Sequence, residues 1–276
     1  MTHDPKEALQ DARRQLEIAG SPSAARDASV LMDIVQGDAP PWTELTDDQI
    51  AQLQHLIQRR VQREPISHII GKRAFWMHDF EVTPDVLDPR PDTETLVEAA
   101  LTQSFQTVLD LGTGSGCILI SLLHERLGAH GTGTDVSAAA LGVAKRNADK
   151  VGVADRVSWT MSDWFSDVTG TYDLIVSNPP YIALDEMAGL APELSHEPRM
   201  ALTDEQDGLS AYRAITRNAL RHMTPKGRLM VEIGPTQAAA VTALFTANGL
   251  SNVSTQKDLN GRDRVVCGAF LPQTDQ

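Results

Sequence analysis

The feature that most narrows the possible folds is a regular alternation past Pro91, where short apolar runs take turns with helix-length segments. The apolar runs predict strands at 107–111, 131–135, 156–161, 172–177 and 228–233. Between and after them, helical patterning predicts helices at 117–127, 138–151, 209–223 and 236–248. Strictly alternating elements of this kind build a parallel sheet with helices on both faces. The end of the chain departs from the rule. Runs at 253–256 and 264–270 are joined through Asn260-Gly261, a hairpin signal, so the last strand should run antiparallel.

The first 63 residues read differently. Leu9, Ala12, Leu16 and Ala19 fall on one helical face, and Ala24, Ala28, Leu31, Met32 and Val35 on another. A third stripe, Ile50, Leu53, Ile57 and Val61, follows Asp47-Asp48, which suits a helix start. A small helical bundle is expected, with no chemical motif of its own. Phe75-Trp76 and Phe80-Glu81-Val82 then suggest two short strands around Met77-His78-Asp79. The expected division is 1–74 helical, 75–90 a β-hairpin linker and 91–276 the α/β domain.

Asp110-Leu111-Gly112-Thr113-Gly114-Ser115-Gly116 ends the first strand of the sheet and opens a helix. Glycines there allow a tight turn and a close approach of backbone to ligand. The nicotinamide fingerprint G-x-G-x-x-G fails, because the slot for its third glycine holds Cys117. The spacing found suits the nucleoside loop of S-adenosyl-L-methionine enzymes, with Gly112, Thr113, Gly114, Ser115 and Gly116 as cofactor contacts. Asp135 ends the second strand about 20 residues later, where such folds place an acid on a ribose diol. Ser162-Asp163-Trp164-Phe165 follows the third strand, and Trp164 is expected to pack on the adenine. A parallel sheet closed by an antiparallel hairpin is the layout of class I methyltransferases.

The fourth strand runs into Ser177-Asn178-Pro179-Pro180-Tyr181. Paired prolines cannot extend a ladder, since neither has a donor and both fix φ. The strand must end there and expose its last carbonyls. A planar amide or amino group carries two N–H donors, and the Asn178 side-chain oxygen with the Pro179 carbonyl can accept both. Tyr181 can then lie against the flat acceptor. Asn178, Pro179 and Tyr181 are the expected catalytic residues, and Asn178, Pro179, Pro180 and Tyr181 the expected substrate contacts. No His/Cys cluster with metal-ligand spacing is present, and no metal is expected.

These motifs resemble one family, the peptide chain release factor N5-glutamine methyltransferases, also called HemK-like protein-(glutamine-N5) methyltransferases. The resemblance covers nearly the whole chain. It includes Glu64-Pro65-Ile66, Pro89-Arg90-Pro91-Asp92-Thr93-Glu94, the glycine loop, Asp135, Asp163-Trp164, Asn178 to Tyr181, and His196-Glu197-Pro198-Arg199. It implies that Gly112 to Gly116, Asp135, Trp164 and Asn178 contact S-adenosyl-L-methionine, which leaves as S-adenosyl-L-homocysteine. It also implies that the tetrapeptide holds the glutamine of the Gly-Gly-Gln motif of class 1 release factors, the protein partner. The family often reads Ile-Pro-Arg-Pro where this chain has Asp88-Pro89-Arg90-Pro91, a departure just outside the motif residues. A sister group acting on a ribosomal protein shares the tetrapeptide but tends to lack the Arg-Pro-Asp-Thr-Glu run. Adenine-N6 methyltransferases of nucleic acids use a similar tetrapeptide on a flipped base.

Composition bears on that choice. A net charge of −13 repels phosphate backbones, so stable nucleic-acid binding is not expected. A hydrophobic fraction of 41% without any run near the roughly 20 apolar residues of a membrane span fits a soluble chain. The first ten residues carry Asp4 and Glu7 and do not read as a secretory signal. Cys117 and Cys267 read as buried small hydrophobes, and His68, His124 and His196 as packing or surface residues. A cytoplasmic monomer is expected.

Overall fold

A computed structural model describes residues 1–271. The chain forms two compact units, one of Met1–Lys72 with Ala191–His196, the other of Arg73–Leu190 with the chain from Glu197 onward.

In the first unit, β1 (Thr2–His3) pairs with β2 (Leu45–Thr46) beside helices α1 (Pro5–Ile18), α2 (Ala24–Gln36), α3 (Asp47–Val61) and α4 (Ile66–Ile70). The helix starts follow from local chemistry. Asp4 caps α1 through the Lys6 amide, with Pro5 preset for the first turn. Thr46 and Gln49 form a reciprocal capping box on α3. The three apolar stripes meet in one core around Ala12, Leu16, Leu31, Leu53 and Ile57. Beside it, Arg60 and Asp27 form a buried ion pair at 2.8 Å, and Ser21 and Ser23 donate to the same carboxylate.

The second unit opens with a hairpin of β3 (Lys72–Phe75) and β4 (His78–Glu81). The strands lie N-terminal to the expected positions because the turn falls at Trp76, whose φ is +54°. Glu94 accepts from the Trp76 amide and Glu125 from its indole, which fixes that turn. Next comes α5 (Glu94–Leu101), a helix that the sequence pattern did not suggest. The sheet follows with β5 (Thr107–Leu111), α6 (Cys117–Glu125), β6 (His130–Asp135), α7 (Ala138–Val151), β7 (Val157–Met161) and β8 (Tyr172–Ser177). After the short α8 (Arg199–Leu202) come α9 (Ser210–Ala219), β9 (Met223–Glu232), α10 (Ala238–Ala247), β10 (Ser251–Lys257) and β11 (Asp263–Ala269).

The strand order is β10-β11-β9-β8-β5-β6-β7. The five strands β9 to β7 are parallel, and β11 is antiparallel to both neighbours, as the Asn260-Gly261 signal implied. Strand residues alternate between two cores. Val108, Leu174 and Val176 pack with α5 and α6 on one face, while Leu109, Ile175 and Val231 pack with α9 and α10 on the other. The sequence order of the strands reverses between β5 and β8, the place where open α/β sheets take ligands at their carboxyl ends.

Candidate active site

Register brings the motifs together. Leu111 pairs with Ser177 on one side and with Thr134 on the other, so the residues that follow, Gly112, Asn178 and Asp135, leave three neighbouring strands at the same level. They surround a cavity of about 390 Å³, a size suited to a nucleoside-sized ligand. Its lining includes Gly112, Thr113, Gly114, Ser115, Asp135, Trp164, Asn178, Pro179 and Pro180.

The glycine loop is held from below. Thr113 donates its amide to the Thr134 carbonyl at 2.8 Å and its hydroxyl to buried Asp110 at 2.6 Å. Burial pushes the Asp110 carboxyl up to about 7, against the opposing pull of that hydroxyl bond. Asn147 of α7 donates to the Ser115 carbonyl and exchanges bonds with the Glu81 backbone, tying the loop to β4. Gly116 does not line the cavity. It caps α6 at φ +81°, and a Cβ there would meet Ile120 at 2.8 Å, so it serves the close packing of loop and helix.

Asp135 accepts from the Gly114 amide at 3.0 Å and from the Ser137 amide at 2.9 Å. Two of its roughly four lone-pair sites are thereby used, which leaves capacity for a diol. Burial raises its pKa, and those backbone bonds oppose the rise. Trp164 adopts φ +50°, a strained conformation for a bulky residue, and its carbonyl accepts from the Ser162 hydroxyl at 2.9 Å. Its ring lies 3.9 Å from where a Gly112 Cβ would stand, an ordinary contact; glycine is favoured at 112 by its φ of +68°.

Asn178 donates through Nδ2 to the Thr93 hydroxyl at 3.2 Å. The far end of the tetrapeptide is clamped by Gln237. Its Nε2 donates to the carbonyls of Tyr181 at 2.9 Å and Gly208 at 3.1 Å, and its Oε1 accepts from the Gly234 amide and the Tyr212 hydroxyl. Gly208 is required at this seam, since a Cβ would stand 2.4 Å from the Tyr181 carbonyl. Tyr181 itself is not among the cavity-lining residues; its ring packs with the core under α9 and α10. Burial pushes its phenol up to about 12, so the hydroxyl is neutral at physiological pH.

The donor set fits S-adenosyl-L-methionine: a glycine cradle, an acid with spare acceptor sites and an indole, around one cavity. Comparison with known proteins agrees. Residues 86–244 match the Methyltransferase small domain family, and residues 7–71 the PrmC N-terminal domain. A release factor glutamine methyltransferase of Cereibacter sphaeroides is 50% identical over 273 residues, covering 96% of this chain and 98% of the relative. One from Caulobacter vibrioides is 42% identical, covering 95% and 94%. The chain belongs to the release factor glutamine methyltransferase family. It is an S-adenosyl-L-methionine-dependent methyltransferase. A crystal structure of a methyltransferase from Pyrococcus furiosus shares the fold, with a TM-score of 0.58 at 17% identity over 78% of this chain and 99% of that one.

Part of this methyltransferase's cavity was not foreseen. Val86, Leu87, Pro89, Arg90 and Thr93 form one wall, drawn from the segment read as a linker and from a motif given no role. The unusual Asp88 is buried and faces two arginines, with Arg73 at 3.7 Å and Arg90 at 3.9 Å; its amide donates to Glu197, which also pairs with Arg90. Cys117 also lines the cavity, but burial pushes its thiol up to about 12, which makes it inert, and both cysteines are free. Neither His68, His124 nor His196 reaches the cavity. Among the described residues no cluster could hold a metal ion.

Proposed function

We propose that this enzyme transfers a methyl group from S-adenosyl-L-methionine to the side-chain amide nitrogen (N5) of the glutamine in the Gly-Gly-Gln motif of class 1 peptide chain release factors. The observation that carries the reading is the shared cavity of Asn178-Pro179 and the glycine loop, set by adjacent strands. When bound, the cofactor supplies a methyl carbon on a positively charged sulfur, with a leaving group that departs with both bonding electrons.

The protein's own task is positional. Gly112, Thr113, Gly114 and Ser115 would follow the cofactor's amino-acid portion, Asp135 would accept from the ribose diol, and Trp164 would pack on the adenine. Gly116 lets the loop meet α6 closely enough to do so. The Asn178 oxygen and the Pro179 carbonyl would take the two N–H donors of the glutamine, and Pro180 and Tyr181 would complete its site. A carboxamide nitrogen is a weak nucleophile because its lone pair is shared with the carbonyl. Holding it in line can supply as much as about 7–11 kcal/mol of entropic and positional advantage. Tyr181 with its neutral phenol would act as a flat apolar surface and not as a base.

The same reading places the enzyme in the cytoplasm as a monomer, with no membrane attachment and no stable nucleic-acid binding. The net charge of −13 supports the lack of stable nucleic-acid binding, and among the described residues no helix is long and apolar enough to cross a membrane. The direct test is mass spectrometry of a purified class 1 release factor after incubation with the enzyme and isotopically labelled cofactor. One labelled methyl on the Gly-Gly-Gln peptide is expected. Label elsewhere, or none, would refute the assignment.

A further inference from the structure

The acceptor corner is a short span of chain held at both ends. At its start, Ser177 closes the β8 ladder opposite Leu111, and its hydroxyl donates to the Leu111 carbonyl at 2.7 Å. Between that point and Tyr181 lie Asn178, Pro179 and Pro180, and the rings of the two prolines fix φ. A strut with so few free rotations points its carbonyls wherever its ends are held. The far end is held at a single peptide group. Its N–H, from Ile182, donates to the Leu202 carbonyl at 3.0 Å, and its carbonyl, from Tyr181, accepts from Gln237 Nε2 at 2.9 Å.

Gln237 can face only one way. It is half-buried in the turn before α10. On one side stand the Tyr181 carbonyl and, at 3.1 Å, the Gly208 carbonyl, which can only accept. On the other stands the Gly234 amide at 3.0 Å, which can only donate, with the Tyr212 hydroxyl at 3.3 Å. Both amide protons and both lone-pair sites are thereby in use. Turning the carboxamide over would set its oxygen against two carbonyls and its NH2 against an N–H. The two carbonyls also mark the ends of one excursion of the chain, from Ile182 to Asp207, which supplies Pro198, Met200 and Ala201 to the cavity wall. One side chain therefore closes the neck of that excursion and the exit of the acceptor corner together.

We propose that Gln237 is a positioning residue for methyl transfer, which by holding the Tyr181 and Gly208 carbonyls sets the placement of Asn178 and the aim of the Pro179 carbonyl. This rests on the reading of the Asn178 oxygen and the Pro179 carbonyl as acceptors of the glutamine N–H donors. Gln237 is not among the cavity-lining residues and acts through the backbone of the corner.

The test compares two variants of the full chain. Gln237→Met keeps the length of the side chain and loses all four bonds. Gln237→Glu keeps an acceptor for the Gly234 amide and, when ionised, loses both donors. Both should lower kcat on intact release factor by about tenfold, the lower part of the range for a misplaced reacting group, because the Ile182 bond remains. KM for the factor and cofactor Kd should change far less, the pattern of an interaction that matters in the transition state. A purely architectural role would instead lower cofactor affinity and kcat together. Independently of turnover, deuterium uptake should be faster at 181–184 and 208–211 in Gln237→Met, and unchanged at 112–116. Wild-type kcat in either variant, a parallel loss of cofactor affinity, or wild-type uptake at 181–184 would each overturn the proposal. Full turnover by Asn178→Ala, or failure of the wild type to methylate the factor, would instead break the reading on which it rests. In that event the uptake comparison would still report whether Gln237 holds the corner.

Discussion

At the residue scale, the side chains of the site have separable duties, and single substitutions should pull them apart. Asn178→Ala deletes an acceptor and leaves a buried substrate donor unpaired, which costs about 1–3 kcal/mol before any misalignment. Methyl incorporation should fall by about tenfold or more on that basis, with the cofactor Kd from calorimetry changed far less. Asp135 accepts from both hydroxyls of a diol most strongly when ionised, and burial has raised its pKa. Cofactor affinity should therefore be full above that raised pKa and fade as pH drops through it, at higher pH than for an ordinary carboxylate. Asp135→Asn should bind weakly with a flat profile; a profile identical to wild type would remove the diol role. Glu232 is a buried acid whose ionisation works against folding. Its pKa, pushed up to about 7, means that folding buries a charge above that pH while the unfolded chain ionises already near the ordinary value. Stability is thus complete below the unfolded pKa and is lost as pH rises through about 7. Thermal melts of Glu232→Gln should show a gain at pH 8 that shrinks toward pH 5.

At the element scale, the buried pair of Arg60 on α3 and Asp27 on α2 fastens the first unit. Asp27→Ala removes one of two carboxylates on the buried Arg60 guanidinium, which keeps Glu193 at 3.1 Å, so the loss seen by urea unfolding of the intact protein should fall below the about 3–5 kcal/mol of a fully broken buried pair. Elements with chemically marked ends were legible in the sequence. β5 stops at Gly112, β8 at Pro179, and α7 runs between Ser137 and Gly152, which supply a hydroxyl cap and a left-handed stop. α5 was missed because eight residues give little periodicity and Thr93 provides no side-chain cap. The 75–82 hairpin was placed late because its turn depends on Trp76 and on the distant acids Glu94 and Glu125. The cavity's glycine, acid and proline corners could be read in advance, since each is a local departure from pattern. Its wall from Val86 to Thr93 could not, because that irregular segment, ending in the short turn Pro91–Thr93, has neither helical nor strand period.

At the scale of the whole molecule, the first unit has its own core and its own family match at residues 7–71, and it contributes none of the cavity-lining residues. We propose that it grips the protein substrate. Removal of residues 1–63 should raise KM for intact release factor while cofactor affinity persists; unchanged turnover would count against the grip. The spacing between the two reactants has a different origin. The cofactor loop and the acceptor corner leave β5 and β8 directly after the paired residues Leu111 and Ser177, so a ladder of backbone hydrogen bonds sets how far apart they stand. Warming should therefore leave the catalytic geometry intact until the sheet itself gives way, and loss of activity should coincide with cooperative melting.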